Sequence, residues 1–186
     1  MSRFNGKTVV ITGASSGIGE ACARKFVSEG ARVVLAARSK EPLDRLAVEL
    51  GGAVTEAVPT DISDVAQCKH LLQQAVSRFG SVDILVNNAG HNVRGDFEHL
   101  PLEEMLQILA VNIRAPMVLT RLALPTMRSQ GSGSVVNVAS LAGRFPLDEE
   151  ATYSATKFAL RIFSFAVAEE LRDSGIRISV VSPGPV

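Results

Sequence analysis

Thr8-Val9-Val10-Ile11-Thr12-Gly13-Ala14-Ser15-Ser16-Gly17-Ile18-Gly19 decides how the rest of the chain is read. Five β-branched residues in a row predict a strand buried on both faces, as in a parallel sheet. The glycines that follow permit a tight turn, and Ile18 opens a helical pattern that runs to residue 29. A glycine-rich turn after a buried strand and before a helix lets the backbone approach a pyrophosphate, whose charge meets the helix N-terminus. Gly13, Ser15, Ser16, Gly17, Ile18 and Gly19 are therefore candidate dinucleotide-binding residues.

The alternation continues outward. Strands are predicted over 32–36, 54–58, 84–86, 134–138 and 177–181, and helices over 41–50, 64–79, 102–128 and 152–173. Gly30, Gly80 and Gly175 stand where helix ends want a left-handed residue, and Asp64 is placed to cap a helix. Short apolar strands joined by helices, with right-handed crossovers, predict a doubly wound parallel sheet in three α/β/α layers, a Rossmann arrangement, as one domain over 1–186. The chain stops at Pro183-Gly184-Pro185-Val186, just past a strand, an odd place for a fold to end, so a longer protein is expected.

Composition narrows the function. The 186 residues are 46% hydrophobic, and 19 Lys+Arg balance 19 Asp+Glu, so the basic surplus of a nucleic-acid partner is missing. The N-terminus lacks a signal-peptide core, and no apolar run is read as the 18–20 or so residues that span a bilayer. Cys22 and Cys68 lie inside predicted helices, as small buried thiols of a reducing, cytoplasmic setting. No His/Cys/Asp/Glu group has metal-ligand spacing, and no metal is expected.

With Thr12-Gly13-x-x-x-Gly17-Ile18-Gly19, Asn87-Asn88-Ala89-Gly90, Ser140, Tyr153-x-x-x-Lys157 and Pro183-Gly184 in that order, the sequence resembles the short-chain dehydrogenase/reductase family along its whole length. The resemblance implies an oxidoreductase that moves a hydride between a nicotinamide cofactor and a ketone or secondary alcohol. It implies catalytic roles for Asn112, Ser140, Tyr153 and Lys157, an adenine site at Asp61 and Ile62, backbone contact to ribose by Asn88, Ala89 and Gly90, and a loop over the nicotinamide at Pro183, Gly184 and Val186. It also implies a C-terminal lid and last strand beyond this sequence, and a homodimer or homotetramer through the helices 102–128 and 152–173. The alternative is a nucleotide-binding sensor or scaffold that keeps the fold without turnover.

The residues themselves add to this. Tyr153, the only tyrosine, and Lys157 lie one helical turn apart on one face. An ammonium about 4 Å from a phenolate contributes roughly 4 kcal/mol at an effective dielectric near 20, which makes the pair useful for proton transfer. Ser140, at the carboxyl edge of a strand, is placed to hold a substrate oxygen. Pro116 has no N–H for the carbonyl of Asn112, so a kink and an open oxygen that takes a water are expected there. Ala37 stands where NAD-selecting proteins carry an acid, and Arg38 offers a fork for a 2′-phosphate, which favours NADP(H). The uncharged Ser16 leaves NAD(H) open. Asn87 is expected to tie neighbouring strands, His91 to edge the substrate pocket, and Arg144, Phe145 and Leu147 to wall it.

Overall fold

The computed structural model describes residues 2–184. Six strands, β1 (Thr8–Thr12), β2 (Arg32–Ala37), β3 (Thr55–Pro59), β4 (Ile84–Asn87), β5 (Gly133–Val138) and β6 (Ile176–Val181), form one sheet in the order β3-β2-β1-β4-β5-β6. Every pairing is parallel, with Val9 opposite both Val33 and Ile84. Central β1 is buried at all five positions, whereas the edge strand β6 alternates buried or half-buried with exposed residues. The doubly wound expectation holds, with each strand within one residue of its predicted bounds.

Helices α1 (Gly17–Ser28) and α2 (Lys40–Leu50) cover one face, over Val9, Ile11, Val33 and Leu35. The other face, with Val10, Val34, Leu85 and Val135, is covered by α3 (Val65–Phe79) and α5 (Ala115–Gln130), while Val167 of α6 (Ala151–Glu170) packs at its margin. Asp64 caps α3 by accepting from the Ala66 N–H, and Gly80 ends it in the left-handed region. Asn87 does tie strands: its amide donates to Asn137 Oδ1 at 2.8 Å, and Asn137 donates to Ser164 Oγ of α6 at 2.9 Å.

The helix expected over 102–128 is three pieces. α4 (Leu102–Leu109) passes into a π-helical turn (Ala110–Arg114), where the Ala115 N–H reaches back five residues to the Ala110 carbonyl, and then into α5. A simple proline kink was expected; the chain instead widens the turn by one residue just before Pro116, whose missing N–H leaves Asn112 without its usual partner. The stretch Leu102–Gln130 is also long and apolar enough to cross a membrane by length and composition, which corrects the sequence reading. Ile108, Leu119, Ala123 and Met127 from this stretch are buried in the protein.

Leu119 is fully buried. Truncation to Leu119→Ala should cost about 2–5 kcal/mol, measured by denaturant unfolding, and a smaller loss would show that this face is loosely packed.

Candidate functional site

The carboxyl ends of β1 and β4 lie side by side where the strand order reverses, and the turns that leave them are locked together. Thr12 Oγ1 accepts from the N–H of Asn88 (3.0 Å) and of Ala89 (3.1 Å). The Asn88 side chain donates to the carbonyls of Thr12 (2.9 Å) and Gly13 (3.2 Å). Sequence reasoning assigned Asn88 only a backbone contact and missed this tie. Gly13, at φ +66°, sits under the β4 turn, where a Cβ would meet Ala89 Cα at 2.9 Å. A Cβ on Gly19 would lie 2.1 Å from the Gly13 carbonyl oxygen. Gly19 is thus a buried packing glycine behind the turn rather than part of its open wall.

A cavity of about 420 Å³ opens in front of these turns. Gly13, Ser15, Ser16, Gly17 and Ile18 line one end, Arg38, Asp61 and Ile62 the other, and Asn88, Ala89 and Gly90 the floor between. Ser16 begins α1 without a side-chain cap, which leaves its first amides free for an anion. A Cβ on Gly17 would meet no protein atom within 4 Å. Arg38 is exposed at the end of β2, and Asp61 Oδ1 accepts from the Ser63 amide at 2.9 Å.

A second cavity of about 310 Å³ shares Ile18, Asn88, Gly90 and His91 with the first. Ser140, Tyr153, Lys157, Pro183 and Gly184 line it together. Ser140 Oγ accepts from the Ala142 N–H at 3.1 Å, capping a short 3-10 turn (Leu141–Gly143), and its own O–H stays available to donate. Lys157 is buried, donates to the Val138 carbonyl at 2.9 Å, and carries its ammonium 5.5 Å from the centre of the Tyr153 ring. Burial pushes its pKa down to about 8.

Asn112 lies behind Gly90. Its Oδ1 accepts from the His91 N–H and its Nδ2 donates to the His91 carbonyl, both at 2.8 Å. The amide therefore clamps the chain just after the β4 turn, a side-chain role that the proline argument, concerned with the backbone, did not show. Arg144, Phe145 and Leu147 do not wall this cavity; Phe145 turns to the surface, and the Leu147 N–H donates to Ser154 Oγ ahead of α6. His91 edges the cavity as expected, with Asn92 beside it, and its Nε2 lies 2.8 Å from Glu104 Oε2. The expected contact of Val186 lies outside the described residues.

The family model for the short chain dehydrogenase matches residues 7–186. This chain belongs to the short-chain dehydrogenase family. Among its relatives, ketoacyl reductase HetN of Nostoc is 42% identical over 188 residues, which cover 100% of this chain and 66% of that protein. A dehydrogenase/reductase SDR family protein 7-like of Anopheles gambiae is 37% identical, over 97% of this chain and 59% of its own length. The chain thus spans about three fifths to two thirds of these two relatives. A 3-ketoacyl-(acyl-carrier-protein) reductase from Brucella melitensis, solved with NADH, superposes with TM-score 0.94 at 37% identity, covering 97% of this chain and 76% of that one. A metagenomic short-chain oxidoreductase solved with NADP gives TM-score 0.92 at 38% identity, over 98% and 84% of the two chains.

The buried ammonium yields a stability test. A lysine whose folded pKa lies below its unfolded value destabilises the fold fully below about pH 8, and the penalty fades as pH rises toward 10.5. Lys157→Met should therefore raise stability at pH 7 by about 1–3 kcal/mol in denaturant unfolding, with the advantage shrinking between pH 8 and 10.5. A variant no more stable than the parent at pH 7 would refute the claim that desolvation dominates at this lysine.

Proposed function

We propose that this short-chain dehydrogenase binds NADP(H) along the joined cavities and moves a hydride between it and a ketone or secondary alcohol. The observation that carries the reading is the meeting of Ser140, Tyr153 and Lys157 in one cavity continuous with the glycine-lined one. The residues fit a dinucleotide: Gly17 leaves open the space that a Cβ would fill, and the uncapped amides of α1 suit a pyrophosphate. Arg38 and Ala37, with no carboxylate at the end of β2, favour a 2′-phosphate. Asp61 and Ile62 would flank the adenine, Gly90 would let the ribose approach, and Lys157 would hold a ribose hydroxyl. Pro183 and Gly184 would close over the nicotinamide.

The cofactor, when bound, supplies or receives the hydride at its nicotinamide C4. The protein's part is proton and position. Ser140, its lone pair already engaged by Ala142, donates to the substrate oxygen. Tyr153 protonates that oxygen in reduction and deprotonates it in oxidation. The Lys157 ammonium faces the ring that carries this hydroxyl, 5.5 Å from its centre. A Cβ built on Gly90 would lie 3.7 Å from Asn112 Oδ1 and 3.8 Å from Lys157 Nζ, so the two groups face one small space. A water there, held at the π-turn, would return the proton to Lys157.

The same reading extends to assembly. Leu106 and Met117 on α4 and α5, and Phe158, Ile162 and Phe165 on α6, are exposed apolar residues that would pair between subunits in a homodimer or homotetramer. The ketoacyl reductase names of two similar proteins make 3-keto acyl thioesters and esters the first substrates to try.

Tyr153→Phe should lower NADPH-dependent ketone reduction at least about a hundredfold while NADPH still binds. Turnover at the parent rate would overturn the mechanism. NADPH binding without turnover of any ketone by the parent would favour the sensor reading. Arg38→Ala should weaken NADPH about tenfold in a fluorescence titration and leave NADH unchanged. Equal losses for both would make Arg38 an adenine or surface contact instead.

A further inference from the structure

The segment after the β4 turn is fastened at two places to the machinery it faces. At its start, Asn112 clamps the His91 backbone. Three residues on, Arg94 Nε donates to Glu150 Oε1 at 2.5 Å, and the neighbouring Gly95 N–H donates to the Glu149 carbonyl at 3.0 Å. Glu150 is the residue from which α6 starts, and Tyr153 lies in the first turn of that helix.

This is no ordinary surface pair. The Arg94 side chain is 69% exposed, but that of Glu150 is only 6% exposed. A carboxylate so withdrawn from water needs a partner, and Arg94 is its one ionic partner among the described residues. Glu149 beside it is the one non-glycine residue described with a positive φ, +57°, a conformation that costs of order 1 kcal/mol and persists only where its surroundings impose it. Its carbonyl is the acceptor for Gly95. A buried charge and a strained backbone are thus both held by one loop, whose start carries the pocket wall residues His91 and Asn92.

We infer that Arg94 and Glu150 are a positioning pair that sets the spacing between the His91–Asn92 wall and Tyr153, and with it which carbonyl substrates fit. Neither side chain lines the cavity, so they act through the two segments they join. The wall comes from the β4 loop and the tyrosine from α6; Asn112, which clamps His91, also donates to Thr156 of α6 at 3.3 Å, and the Arg94–Glu150 pair is the second tie, placed where the helix begins beside Tyr153. The substrate part of this inference rests on the oxidoreductase reading; the positioning part does not.

The chain has one tyrosine and no tryptophan, so its intrinsic emission reports Tyr153 alone. In the full chain, Arg94→Ala and Glu150→Gln should each raise the acrylamide quenching constant of that emission about twofold, while Arg94→Lys, which keeps the charge, returns most of the way. Glu150→Gln leaves no unpaired buried charge and serves if Arg94→Ala fails to fold. With a reducible 3-keto ester, both variants should raise KM about tenfold at nearly constant kcat and unchanged NADPH affinity. Parent-like quenching overturns the positioning pair, and so does an NADPH affinity that falls in step with KM. If no ketone is reduced by the parent chain, the oxidoreductase reading fails, and the quenching result still decides the pair.

Discussion

Thr12 and Asn88 bind two turns that are far apart in sequence and hold together the floor of the larger cleft. In a doubly wound sheet the chain leaves β1 toward one face and β4 toward the other, so a crevice opens between their carboxyl ends. Left alone, a glycine-rich turn after β1 and the Gly90 turn after β4 would sample many conformations at such a crevice. One threonine hydroxyl accepting two amides, and one asparagine amide spanning two carbonyls, remove that freedom. Gly13 and Gly19 then serve the lock as much as any ligand, because a methyl group at either would force the turns apart.

The second constraint is the burial of Lys157. An ammonium with a single carbonyl partner in an almost dry site is unfavourable to folding, and the sheet and α6 hold it there by packing. Tyr153 and Lys157 share a helix face that lines the cavity, and the Leu141–Gly143 turn lies close against α6, where Gly143 leaves no room for a Cβ beside the Lys157 carbonyl. Stability is given up beside the residues proposed to move a proton, a common relation between stability and chemistry.

The π-turn at Ala110–Arg114 joins the two constraints. Pro116 removes one helical donor, the chain takes in an extra residue, and the Asn112 amide is thereby turned toward the segment that leaves β4. From there the His91 segment runs to Arg94 and Glu150, so that the β4 turn, the π-turn and the start of α6 are connected through short polar contacts.

Much of this was legible in the sequence, because it depends on local periodicity and on residue types with few alternatives. Buried β-branched runs, helix periods, the Asp64 cap and the Gly80 stop predict the parallel sheet to within a residue or so. The spacing of Tyr153 and Lys157 predicts a shared helix face without knowledge of the fold. What the tertiary structure alone decided are contacts between segments distant in the chain: Asn88 reaching back to Thr12, Asn112 clamping His91, Arg94 meeting Glu150, and Asn92 joining the expected His91 at the pocket wall while Arg144, Phe145 and Leu147 stay out of it. Periodicity says which face of an element is apolar; where a polar side chain on a loop finds its partner depends on how the elements close upon one another, and no local pattern records that.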